Sequence, residues 1–155
     1  MTDIFARLSE MGLALPKAAA PAANYVPYVL DRGTLYISGQ LPIGPDGALI
    51  RGRLGDDMDV EAGAAAARAC ALNILAQVGA ALSGEWACVA RCVKLGGFVA
   101  STPDFTKQPL VVNGASDLIA TVLGEAGKHA RAAVGVPALP LGAAVEVEAV
   151  FAVRA

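Results

Sequence analysis

Residues 57–82 place the firmest constraint on what this chain can fold into. Asp57 or Asp59 can cap the start of a helix there, and Glu61 falls in the first turn, where it complements the helix dipole. Alanine, the best helix former, dominates until Gly84 stops the run. The pattern predicts one long helix. Arg68, Asn73 and Gln77 interrupt it too often for a membrane span. A helix surfaced mainly by methyl groups is thin, and it suits close packing against a flat partner. The rest of the chain should therefore supply a sheet.

It does. YVPYVL and TLYISGQ read as strands rich in β-branched and aromatic residues, with DRG as the turn between them. PIGPDGALI supplies a turn leading into a short strand at 48–51. After the long helix, CVARCVKLGGFVAS reads as a long strand, bulged or bent at Gly96 and Gly97. TPDFTKQP is a loop, and Val111, Ala115, Leu118, Ile119 and Val122 form a helical stripe ending at Gly124. A strand over 131–136, a turn at Pro137 and Pro140, and a strand over 144–153 complete the order. At the N-terminus, Ile4, Phe5, Leu8 and Met11 share a helical face that Thr2 or Asp3 can cap and Gly12 can end. LPKAAAPAANYVP reads as an extended linker. The expected organisation is thus residues 1–23 as helix and linker, and 24–155 as one α+β domain. A mixed sheet covered on one side by two helices fits that order.

Length agrees with a single core. A formal net charge of −2 without a basic block gives no reason to expect nucleic-acid binding. Only 17% of the residues are charged, so part of the surface is expected to be hidden against identical subunits. MTDIFARLSEMG has neither the basic nor the apolar region of a signal peptide, which points to a cytoplasmic protein without a membrane partner. Cys70, Cys88 and Cys92 sit in apolar surroundings and read as free thiols. With His129 as the only histidine and no second cysteine pair, no metal site is expected.

The charged residues near the C-terminus carry the functional question. Alternation puts Glu146 and Glu148 on one face of the last strand and Val145 and Val147 on the other. Taken singly, the glutamates read as a solvated strand face and Arg131 as a strand-end ion pair. Taken together they suggest more. The two final strands are joined by a short turn and are expected to pair, bringing Arg131 and Glu146 onto facing strands. Arginine grips carboxylates through paired hydrogen bonds, and a nearby glutamate can polarise water. An anionic substrate with an electrophilic carbon would suit both. His129 reads as a surface residue rather than a base. Ser38, in SGQLP, lacks a G-x-S-x-G setting and is better used as a donor beside a ligand. LGGFV lacks phosphate-loop spacing, and Trp86 reads as packing.

YISGQLP and ARAAVGVPALPLGAAVEVEAVFAV together resemble the RidA family of enamine/imine deaminases, also called YjgF-like and labelled endoribonuclease L-PSP. The resemblance runs from about Asn24 to the C-terminus. It implies a chorismate-mutase-like fold and a homotrimer with a central β-barrel and clefts between subunits. It also implies hydrolysis of small 2-imino acids or enamines to 2-keto acids and ammonia, without a cofactor. Position by position, it makes Arg131 the carboxylate anchor and Glu146 the residue that activates water. Tyr25, Ser38, Gly39 and Asn113 become cleft residues. Where typical members carry a cysteine this chain has Ala133, whose backbone N–H is still available to a carboxylate. HAR replaces the usual proline before the alanine and arginine, and the N-terminal helix is extra. A binding protein that senses a small carboxylate is the alternative reading, and ribonuclease a third. No role is assigned to Glu148.

Overall fold

The structure is a computed structural model that describes residues 3–21 and 23–155. Its elements are α1 (Ile4–Glu10), β1 (Tyr28–Asp31), β2 (Thr34–Gln40), α2 (Val60–Ala81), β3 (Val89–Ala100), α3 (Gln108–Leu123), β4 (Ala130–Val136) and β5 (Val145–Val153). Asp59 caps α2 by accepting from the Ala62 N–H at 2.8 Å. Asp3 does the same for α1, accepting from the Phe5 N–H at 2.9 Å; Thr2, the other expected cap, lies outside the described residues. Ile4 and Leu8 enter the same core as α2 and the sheet, whereas Phe5 stays exposed and meets Trp86 edge to face.

The five strands form one mixed sheet in the order β1-β2-β5-β3-β4. Helices α2 and α3 pack on one face of it. Period-2 alternation sorts β5 as expected. Val145, Val147, Ala149 and Phe151 are buried under the helices, while Glu146 and Glu148 point to the other, open face. By length and composition α2 could cross a membrane, but most of it is buried in this core.

The expected pairing of the last two strands is wrong. β4 pairs in parallel with β3, and β5 pairs antiparallel with β3 on its other side. α3 is the crossover that a parallel pair requires. The 137–144 connection is therefore no hairpin; it passes the end of β3. Arg53 holds it by donating from Nη2 to the Pro137 carbonyl (2.9 Å), and Arg51 by donating from Nε to that of Leu141 (2.9 Å). Three smaller expectations also change. The segment at 48–51 forms isolated bridges, Ile43 to Leu49 and Arg51 to Ala143, rather than a strand. β1 starts at Tyr28, because Pro27 cannot donate to the ladder. The irregularities of β3 fall at 89–91 and 92–94, not at Gly96 and Gly97.

Those glycines serve close approach instead. A Cβ on Gly97 would stand 2.6 Å from Val112 Cγ1, so α3 rests directly on the strand. A Cβ on Gly114 would collide with the backbone carbonyl of Ala64, so α3 also lies directly against α2. The rigid backbone at that second contact leaves no side chain to move aside. Gly114→Ala should therefore lower the free energy of unfolding by about 2 kcal/mol or more. Guanidinium unfolding checks this, and an unchanged midpoint would show that the helices have slack there.

Candidate functional site

The candidate residues divide into two clusters. Register fixes the division. Arg131 lies opposite Leu95, which lies opposite Ala149, and both of those are buried on the helix-covered face. Glu146 lies opposite Phe98 and projects from the open face. Arg131 and Glu146 are thus on opposite faces, two strands or about 10 Å apart across the sheet, with an offset along it as well. They are not on facing strands, and they do not meet within one chain.

The first cluster sits at the β4 edge against α3. Arg131 donates from Nη1 to Asn113 Oδ1 (2.8 Å) and to Ser116 Oγ (3.2 Å), and from Nη2 to the Pro109 carbonyl (3.3 Å). Each acceptor is neutral, and Arg131 has no ion pair among the described residues. Three of the five guanidinium N–H groups are thereby occupied, and two remain, the number that a bidentate grip on a carboxylate needs. Ala133 follows on the same face, half-buried beside the core.

The second cluster lies where β2 meets β5. Gly39 is there because Glu146 lies over it: a Cβ would run into the carboxylate. Gly96 accommodates Glu148 similarly, since a Cβ would stand 2.9 Å from Glu148 Oε1. Ser38 donates from Oγ to the Val26 carbonyl at 2.7 Å. Its hydroxyl therefore ties down the segment carrying the exposed Tyr25, rather than standing free beside a ligand. Gln40, next along, is buried and donates to the Ser38 carbonyl, with Gln77 of α2 donating in turn to the Ala19 carbonyl.

Glu146 is half-buried and has no hydrogen bond or ion pair among the described residues. Desolvation, and secondly the charge of Glu148, push its pKa above the usual carboxylate value. Among the described residues no group of three metal-ligating side chains assembles. The three cysteines are free; burial pushes the Cys92 thiol up to about 12 and raises that of Cys70 well above its ordinary value. Sequence reasoning missed Ser116, the Pro109 carbonyl and the engagement of His129. Ser116 lies on α3 and His129 in the connection before β4, so no linear motif announces them.

Residues 5–153 match a family model described as YjgF/chorismate mutase-like, which also carries an endoribonuclease label. Protein TCP17 of Trypanosoma cruzi is 54% identical over 147 residues, 94% of this chain and 91% of its own. The crystal structure of protein Atu1372 of Agrobacterium tumefaciens, of unknown function, superposes with a TM-score of 0.91 at 52% identity, covering 97% of this chain and 92% of its own. The YjgF gene product of E. coli superposes with a TM-score of 0.64 at 30% identity, covering 90% and 94%.

Ionising Glu146 costs the folded chain more than the unfolded one. Its contribution to stability is therefore full below the ordinary glutamate pKa and is lost as pH rises through the raised, folded value. Glu146→Gln should melt above the parent protein at neutral pH, and the gap should close in acid. Thermal melts across that range check the sign, and a less stable variant at neutral pH would show that the carboxylate has a partner in solution.

Proposed function

The chain belongs to the YjgF/RidA family, and we propose that it hydrolyses small 2-imino acids, or their enamine tautomers, to 2-keto acids and ammonia in a cleft between subunits of a homotrimer. One observation carries this reading: Arg131 is fixed by neutral acceptors alone, so its full charge and two N–H groups stay available to an anion. A site that already holds its cation in place spends little ordering it when substrate arrives.

The chemistry follows from the two clusters. Arg131 holds the substrate carboxylate and orients the C=N carbon next to it. Glu146 takes a proton from water as its oxygen bonds to that carbon. That proton passes to nitrogen to give a carbinolamine. Glu146 then carries the hydroxyl proton to nitrogen as well, the oxygen's electron pair forms the carbonyl, the C–N bond breaks, and ammonia leaves a 2-keto acid behind. A carboxylate with raised proton affinity suits this exchange better than an ordinary one, because its pKa lies nearer the working pH. No cofactor is needed to balance the reaction. Arg131 and Glu146 face away from one another in a single chain, so the site is complete only when one subunit's Arg131 cluster meets a neighbour's Glu146 cluster. The open face of the sheet, with Val29, Tyr36, Val93 and Val134 exposed, is the surface that such an assembly would cover.

An endoribonuclease reading has less support. His129, the single histidine, is bound at both ring nitrogens, and the formal net charge is negative.

Imines generated by an amino-acid oxidase, with semicarbazide as trap, test the activity. Arg131→Ala should lower kcat/KM by about 100-fold or more, the worth of two hydrogen bonds to a charged group. Glu146→Gln should still bind a 2-keto acid while kcat falls by about 100-fold or more. Retained binding with no turnover in any variant, the parent included, would instead make this a carboxylate sensor. Mixed trimers of the two variants test the shared cleft. A 1:1 mixture should recover about a quarter of the parent activity, because one site in four draws Arg131 and Glu146 from intact donors. No recovery would place both groups of a site in the same subunit.

A further inference from the structure

The hydrogen-bond chain at Arg131 extends beyond the residues that touch it. Ser116 Oγ, which accepts from Arg131 Nη1, lies 2.9 Å from His129 Nε2. His129 Nδ1 lies 2.6 Å from the Gly127 carbonyl oxygen. A carbonyl oxygen can only accept, so Nδ1 carries a proton. In the neutral ring Nε2 is then an acceptor, and the Ser116 hydroxyl must donate to it. The lone pairs of Ser116 are left for Arg131. One backbone carbonyl thereby sets the direction of two successive hydrogen bonds, and the third runs from Arg131, which can only donate.

Each link is held in place. Gly127 is buried, and a Cβ there would stand 2.8 Å from Ala120 Cα, so this turn is pressed onto α3. Ser116 lies on α3 one turn after Asn113, and both present their oxygens to the same guanidinium nitrogen. A helical serine commonly bonds back to the carbonyl four residues earlier. Ser116 instead spends its proton on the ring, and Ser116 and His129 are only half-buried. Solvation of three separate groups would have satisfied the same atoms; the connected arrangement is what needs a reason.

We propose that Ser116 and His129 are positioning residues for the carboxylate anchor. Neutral His129, protonated on Nδ1, turns the Ser116 hydroxyl away from Arg131, and Ser116 and Asn113 then commit Nη1 to the protein. The grip on substrate falls to Nε and the remaining Nη2 proton. Neither residue touches substrate; both act through Arg131. The proposal rests on the reading of Arg131 as carboxylate anchor.

Two measurements test it. The chain contains a single histidine, so its ring 15N signals need no assignment by mutation. In alkaline buffer they should show the proton on Nδ1, against the usual preference for Nε2. Calorimetric titration with pyruvate then compares Ser116→Thr and Ser116→Val, which match in shape and differ in the hydroxyl. The threonine variant should bind like the parent, and the valine variant about tenfold more weakly, as expected for one lost hydrogen bond to a charged group. His129→Ala should weaken binding similarly, and the double variant Ser116→Val/His129→Ala no further than either alone. A neutral ring protonated on Nε2, or equal binding by the valine and threonine variants while Arg131→Ala loses binding, would overturn the proposal and leave the anchor intact. Undiminished binding by Arg131→Ala, or no binding by the parent, would remove the anchor reading, and the proposal with it.

Discussion

The seating of α3 governs most of what this fold can do. Gly97 lets the helix down onto β3, Gly114 lets it against the Ala64 carbonyl of α2, and Gly127 lets the following turn fold back onto it. The contacts at Gly114 and Gly127 are with backbone, and that at Gly97 is with the buried, β-branched Val112, so little in them could absorb a displacement. The helix in turn supplies every group that holds the Arg131 guanidinium: Asn113, Ser116 and the Pro109 carbonyl. A displacement of α3 would therefore reach the arginine directly. Small residues in the core and a fixed charge at the edge are two ends of one mechanical chain.

The second half of the site is built differently. Glu146 and Glu148 are placed by strand alternation alone, over the glycines of neighbouring strands, and nothing among the described residues pairs with Glu146. The arginine is rigid and fully charged; the glutamate is half-desolvated with a raised pKa. For the proposed reaction that division is apt, since one group must stay ionised throughout while the other must gain and lose a proton.

Much of this was legible in the sequence, and the failures are instructive. Composition marked α2, and the 3.6-residue stripe marked α3, because each depends only on neighbours along the chain. The split of β5 into a valine face and a glutamate face was legible for the same reason. The partner of β4 was not. A short connection suggested a hairpin, but Arg51 and Arg53 hold that connection across the end of β3, and the strand pairs in parallel with β3 instead. Arg131 and Glu146 were read as neighbours on facing strands, and the register puts them on opposite faces of the sheet instead. Single-residue register decides which face a side chain takes, and pairing supplies that register. The Ser116–His129 contact was less accessible still, since it joins the middle of α3 to the connection before β4, which only the tertiary fold brings together.

β5, the last strand in chain order, occupies the middle of the sheet, between β2 and β3. Synthesis runs from the N-terminus, so a nascent chain can form the β1–β2 hairpin and dock β4 beside β3 while the two halves have no strand to join them. Each half then offers an unpaired inner edge and an uncovered apolar face, the conditions under which chains mispair with one another. The same nine residues that close that gap also deliver both glutamates. Completion of the sheet and arrival of the proposed proton-transfer group are one event, and a ribosome pausing before this strand would hold back both.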